Sequence, residues 1–329
     1  MSDAKTLVGR ATSRVDGRAK VTGGAKYAAD VGAPGLLYGW VVSSAIARGR
    51  VASIDAAEAL AVEGVVQIFT HENRPHLAWF DRSYRDDDAP AGSPFRPLYD
   101  DRVQSSGQPI ALVVAETLEA ARYAASLVRV AYAPEAHETD LRASRGRARP
   151  PSKVTGGREP PPKPRGDPDG ALARAAVRVE AEYHAPAEHH NPLEPHATTA
   201  VWEDDGTLTI YDKTQGVLNS HNYVKNVFDL ADAQVRVRSP FVGGAFGSGL
   251  RPQYQLFLAV MAARELGRSV RVVLTRQQMF TFGHRPETLQ RVALGAKADG
   301  TLEALAHEAT AATSRFEEYV ETVVNWSGL

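Results

Sequence analysis

The chain has 329 residues, 43% of them hydrophobic and 23% charged, with a formal net charge of −1 and no cysteine. That size allows two domains with substantial cores, and the near-neutral charge gives no reason to expect nucleic acid or a membrane surface as partner. Without cysteine there are no disulfides, zinc ribbons, cysteine-bound iron–sulfur clusters or thiol nucleophile in this chain, so any metal needs His or carboxylate ligands or an organic carrier.

Residues 35–43 and 65–70 read as strands, with a short helix over 55–61 between them. Pro109–Ala115 is a continuous apolar run, as in a buried strand. Residues 117–128 place Leu118, Ala121, Ala125 and Val128 on one helix face, and 128–132 is a further strand, so the three segments read as a β-α-β unit. From Ala133 to Pro168 eight prolines and clustered Arg, Gly and Lys displace apolar residues. This predicts an extended, solvated linker. Beyond it, 175–183 reads as a strand, 198–202 and 207–211 as a hairpin turning at Asp205-Gly206, and 216–228 as a helix. Residues 234–239 alternate as a half-buried strand does. Tyr254–Leu266 is a nearly unbroken apolar helix former, with Pro252 expected in its first turn and Gly267 at its stop. A strand over 270–274 and a second hairpin centred on Asp299-Gly300 follow, with no internal repeat. The last residues, 323–329, begin another apolar segment, which suggests a domain that continues further.

The chemistry concentrates between the 234–239 strand and the 254–266 helix, where glycines stand at 243, 244, 247 and 249. Such a loop lets the backbone take positive φ and approach a ligand, and a helix N-terminus adds about half a positive charge. The expectation is a set of backbone N–H groups presented to a phosphate or pyrophosphate. A nucleotide P-loop does not fit, because Leu250-Arg251-Pro252 stands where Lys and then Ser or Thr are needed, and no frame satisfies Gly-x-Gly-x-x-Gly. A turn that serves close packing alone is the competing reading. Phe246 inside the cluster either packs under the loop or faces a ligand, and Arg251 at the helix start calls for a nearby anion or lies at the surface. Gln215, past the first hairpin, offers a neutral donor and acceptor. Residues 183–196 hold four histidines and two acids, enough to raise a zinc-hydrolase reading. Prolines at 186, 192 and 195 break the helix that a His-Glu-x-x-His pair requires, which favours a hydrogen-bonded extended segment.

Arg14–Asp30, Gly107–Ala115, Asn191-Pro-Leu-Glu-Pro-His-Ala197, Thr214-Gln215 and Val242-Gly-Gly-Ala-Phe-Gly247 together resemble the N-terminal half of the molybdopterin-binding subunit of molybdenum hydroxylases. This is the xanthine dehydrogenase and aldehyde oxidase family, and the resemblance is strongest to the bacterial aldehyde oxidoreductase type with separate subunits. It implies an α+β chain. An a/b hammerhead domain would span 9–135, a linker 136–168, and the first part of a mixed α/β molybdopterin-binding domain 169–329. It implies molybdopterin cytosine dinucleotide as cofactor. Gln215 matches the glutamine that hydrogen-bonds an oxo ligand, and Gly244, Phe246 and Gly247 match the loop beside molybdenum and pterin. With Gly243 and Arg251 these make six expected cofactor-binding residues. The family's Gly-Gly-Gly-Phe-Gly-Gly-Lys is altered here at Ala245, Ser248 and Gly249.

The resemblance further implies hydroxylation of aldehydes or N-heteroaromatic compounds with water as oxygen source, electrons passing to [2Fe-2S] and FAD subunits. The general-base glutamate would lie in a C-terminal half absent from this sequence, so no catalytic residue and no protein metal ligand is assigned. Expected partners are the [2Fe-2S] subunit, the FAD subunit, that missing half and a small-molecule substrate, with no nucleic acid and no membrane. Residues 1–10 lack the apolar core of a signal peptide, so the expected compartment is the cytoplasm, or the periplasm if an exported partner carries the chain. A non-catalytic half that only binds partner subunits is the alternative reading.

Overall fold

The computed structural model describes residues 9, 11–87, 89, 91–149, 165–315 and 317–318. The proline-rich stretch 150–164 of the expected linker and the apolar segment 323–329 lie outside the described residues. In chain order, α1 (Gly17–Val21) precedes β1 (Leu37–Ser43), β2 (Gly49–Asp55), α2 (Ala57–Leu60) and β3 (Val65–Thr70). Short strands β4 (Ala91–Gly92) and β5 (Arg102–Val103) lead to β6 (Pro109–Ala115), α3 (Leu118–Leu127) and β7 (Arg129–Pro134). Then come α4 (Leu141–Ser144), α5 (Pro168–Arg174), β8 (Val177–Ala185), β9 (Glu188–His189), β10 (Ala197–Trp202), β11 (Leu208–Asp212) and α6 (Val217–Phe228). The series closes with β12 (Val235–Arg238), α7 (Tyr254–Leu266), β13 (Val270–Val273), β14 (His284–Arg285), β15 (Thr288–Ala296), β16 (Leu302–Ala311) and the two-residue β17 (Glu317–Glu318).

Helices and strands are mixed as an α+β chain requires, and besides smaller clusters within each half the two halves of the sequence share one core. One seven-stranded sheet runs in the order β12-β11-β10-β13-β1-β6-β3, joined across the halves by the parallel pairing of Leu37 with Val270 and Gly39 with Val272. Leu37, Val41 and Leu112 from the first half share one hydrophobic cluster with Ile210, Leu256 and Val272 from the second. The closeness is enforced at Gly39, where an added Cβ would lie 2.7 Å from a Val272 methyl.

Local chemistry explains the central elements. Every residue of β6 is buried, so the strand reads as an unbroken apolar run rather than an alternation. Helix α7 is apolar on all sides because ten of its residues are buried, and each large one contributes on the order of 1.5–3 kcal/mol of hydrophobic stabilisation. Gly267 stops it in the left-handed conformation at φ 58°, its N–H donating to Ala263 O. The helix begins at Tyr254 with Gln253 as N-cap, so Pro252 lies ahead of the first turn rather than inside it.

Both hairpins form as the sequence indicates, β10 with β11 and β15 with β16, the latter pair carrying β8 on its other edge. Three expectations are corrected. Strands β6 and β7 flank α3 as expected but belong to different sheets, since β7 pairs with β2, a strand that the sequence pattern alone does not mark. Part of the expected linker is ordered: α4 is capped by Asp140, and Arg142 and Arg145 both clasp Glu182 on β8. Helix α5 also falls at the end of that linker, with Asp167 as N-cap and Pro168 at its first position as ordinary start signals.

Candidate cofactor site

Strand direction collects the site. Strands β12, β11, β13, β1 and β3 point the same way, so their C-terminal ends lie along one edge of the sheet. Segment 213–216 follows β11, the glycine loop follows β12, 274–278 follows β13, and Glu194–His196 lead into the antiparallel β10. Ligand sites of mixed α/β sheets favour such an edge. Backbone bonds tie the pieces together: Lys213 N–H donates to Ala197 O at 3.0 Å, Leu274 N–H to His196 O at 2.9 Å, and Gln215 N–H to Gly249 O at 2.8 Å.

Gln215 does more inside the protein than its exposed position suggests. Its Oε1 accepts the N–H groups of Gly247 at 3.0 Å and Gly249 at 3.3 Å. Two backbone donors on one oxygen fix the orientation of the amide, leaving Nε2 as a donor with no partner among the described residues.

The expectation of a broad N–H cradle is corrected for most of the loop. Gly243 donates to Glu194 Oε2 at 2.6 Å, Ser248 to Ala245 O, Leu250 to Gly247 O, and Gly247 and Gly249 to Gln215. Within 243–250, the N–H groups of Gly244, Ala245 and Phe246 have no partner among the described residues. Gly244 at φ 93° and Gly247 at φ 100° take conformations that side chains resist. Gly243 is held to glycine by proximity, since a Cβ would lie 2.8 Å from Glu194 Cβ.

Phe246 does not pack under the loop. It is 74% exposed and sits at φ 55°, a strained conformation for a bulky residue, with its ring edge close to Gly244. A strained, solvent-facing aromatic is the kind of feature that collects at ligand sites. Arg251 has the anion that its place at a helix start called for: its Nε lies 2.8 Å from Oδ2 of Asp86, whose side chain is almost fully buried.

Behind the loop lies a group of titratable side chains, Asp212, Lys213 and His196 buried and Glu194 half-buried, that the sequence pattern does not reveal. Asp212 accepts from Thr198 Oγ1 at 2.6 Å and Ser220 Oγ at 3.0 Å, and burial pushes its carboxyl up to about 6. Burial lowers Lys213 to about 8, opposed by the charges of Glu194 and Asp212. Glu194 is raised by burial, against the pull of the Gly243 N–H, and His196 is pushed down to about 3 by burial and then by Lys213. The sequence offered one weak signal, a lysine directly after the strand that leads to Gln215.

The four histidines of 183–196 are used separately. His184 pairs with Glu287 at 2.7 Å, His189 stacks near Phe280 and His284, His190 Nδ1 meets Gly283 O at 2.7 Å, and His196 is buried. Among the described residues no three His, Asp or Glu side chains converge as metal ligands. A zinc hydrolase is therefore not what this segment builds. An organic carrier that brings its own metal ligands fits the edge better: it meets a neutral amide donor, three backbone donors at 244–246 and an exposed ring.

Two family descriptions match the chain: the aldehyde oxidase and xanthine dehydrogenase a/b hammerhead domain over residues 22–136, and the molybdopterin cofactor-binding domain over 152–328. Among curated proteins, the aldehyde oxidoreductase molybdenum-binding subunit PaoC of Escherichia coli strain K12 is 36% identical over 93% of this chain and 40% of its own. A probable xanthine dehydrogenase subunit of Bacillus subtilis strain 168 is 30% identical over 90% and 38%. Carbon monoxide dehydrogenase of Oligotropha carboxidovorans shares the fold, with a TM-score of 0.77 at 24% identity over 92% of this chain and 39% of that one. The chain thus spans about two fifths of the length of these relatives. With a hammerhead region and a molybdopterin-binding region on one continuous sheet, it belongs to the aldehyde oxidase and xanthine dehydrogenase family of molybdenum hydroxylases.

Proposed function

We propose that this chain forms the hammerhead and one wall of the cofactor site in an oxidoreductase that hydroxylates aldehydes or N-heteroaromatic compounds with water as oxygen source. The observation that carries this reading is Gln215, whose Oε1 is spent on Gly247 and Gly249 while Nε2 stays available to an acceptor atom of a bound group. When bound, molybdopterin cytosine dinucleotide would supply the two-electron redox chemistry. The residues of this chain would bind and orient it: Gly244, Ala245 and Phe246 by backbone N–H groups, Phe246 by its ring, and Gly243 and Gly247 by allowing close approach. Arg251, anchored to Asp86, holds the far end of the loop against the first half of the chain.

No general base is assigned in this chain; that role belongs to the remaining part of the site. The [2Fe-2S] and FAD groups would reside on partner subunits, and the compartment proposed for the complex is the cytoplasm. Among the described residues no helix is long and apolar enough to cross a membrane. Metal and pterin analysis of the chain purified with the polypeptides that assemble with it tests the proposal. About one molybdenum per complex is expected, and an intact assembled complex without molybdenum overturns it. An assembled complex that has lost the metal yet keeps its partners would instead favour a half that only binds other chains.

A further inference from the structure

Among the described residues, three buried polar atoms behind the glycine loop have no hydrogen-bond partner: Lys213 Nζ, Glu194 Oε1 and His196 Nδ1. Lys213 is only 1% exposed, and an ammonium so placed is strongly disfavoured unless opposite charge lies close. The Lys213 N–H donates to Ala197 O at 3.0 Å, which sets the lysine beside the segment that carries Glu194, and the carboxylates whose charge reaches it are Glu194 and Asp212. Asp212 is already satisfied by the hydroxyls of Thr198 and Ser220, whereas Glu194 has one oxygen unpaired. The other oxygen of Glu194 accepts the Gly243 N–H at 2.6 Å, and the Glu194 N–H donates to Gly243 O at 3.2 Å. Residues 194 and 243 are therefore joined twice, where the chain turns into the segment carrying Phe246. The remaining nearby cation, Arg276, is occupied with Asn191 Oδ1 and the carbonyl of Leu193.

We propose that Lys213 is a positioning residue for the glycine loop: its buried positive charge compensates the Glu194 carboxylate, which grips Gly243 and so sets where Gly244 to Gly247 begin. The role in cofactor binding rests on the function proposed above, whereas the positioning itself does not. A merely space-filling lysine would tolerate an isosteric apolar residue. A compensating lysine would not, unless the carboxylate were neutralised as well.

The test uses the full-length polypeptide in its assembled complex, with Lys213→Met, Glu194→Gln and the double variant. Amide hydrogen exchange is followed over 239–250 in cofactor-free protein, with 256–263 in α7 as internal control, and molybdenum is measured per complex. Lys213→Met is expected to speed exchange over 239–250 about tenfold while leaving the control unchanged. Glu194→Gln in that background still accepts the Gly243 N–H without a charge to compensate, so the double variant should return most of the way to wild type. Unchanged exchange in Lys213→Met, or a double variant as fast as the single one, overturns the proposal. If Lys213→Met alone does not fold, recovery of folded protein by the second substitution supports it and continued failure overturns it. Wild-type complex without molybdenum but with the expected exchange pattern would defeat the function proposed above and leave this inference standing.

Discussion

The edge of the seven-stranded sheet and the three-stranded sheet β8-β15-β16 both carry many charges, arranged in opposite ways. On the small sheet Arg178, Glu180, Arg291 and Glu308 form a solvent-exposed ladder, which water and salt screen. At the cofactor edge Asp212, Lys213 and His196 are buried and Glu194 is half-buried; Asp212 and Glu194 are held by specific donors, whereas Lys213 Nζ and His196 Nδ1 have no hydrogen-bond partner among the described residues. Exposed pairs shape a surface at little gain in stability. Buried ones commit the fold to one arrangement, because removing a partner leaves a charge or dipole uncompensated.

The contrast can be broken most forcefully at Asp212. Asp212→Ala leaves the hydroxyls of Thr198 and Ser220 and the charge of Lys213 without their partner, and a loss of roughly 3–5 kcal/mol is expected in urea unfolding. A loss below about 1 kcal/mol would show that this edge tolerates charge as the outer sheet does.

Acid probes the same edge through His196. Its folded value is depressed to about 3, so the stability it contributes is fully present above the ordinary imidazole value and is lost as pH falls toward 3. His189 and His284 are depressed in the same direction, while Asp212, raised to about 6, opposes them by favouring the folded state as pH falls. Between pH 6.5 and 5 the His196 contribution alone amounts to about 1–2 kcal/mol. His196→Gln should therefore lose visibly less stability than wild type over that interval in urea midpoints, and parallel curves would refute the assignment.

Gly247→Ala sharpens the comparison at the loop, where φ of 100° is strained for any side chain and the new Cβ would sit 3.6 Å from His190 Nε2. A cost of about 1–3 kcal/mol is expected, together with weaker retention of pterin by the assembled complex. At the other extreme, Arg291→Ala on the outer sheet should leave the unfolding midpoint within experimental error. A clear drop there would erase the distinction between the two regions.

Much of the fold was legible in the linear sequence for identifiable reasons. Asp205-Gly206 and Asp299-Gly300 announce hairpins because a tight turn needs those residues, and Gly267 announces a helix end because the left-handed conformation suits glycine. The glycine cluster, Phe246 and Gln215 stand out as chemistry because their types are unusual where they occur. The sharing of one sheet by the two halves was not legible, since the pairing of Leu37 with Val270 joins segments more than two hundred residues apart. Nor was the role of Lys213, whose side chain is buried because the end of β11 carries it inside.

The sequence by itself determined the family, the local elements and the residue types at the site, because turn chemistry, periodicity and motif order act over short stretches of chain. Only the tertiary structure decided which loop N–H groups remain available, where Arg251 finds its anion and what faces Lys213. Those outcomes depend on strand order and burial, which bring Glu194, Lys213 and Gly243 together from three separate segments and withdraw the Lys213 side chain from water.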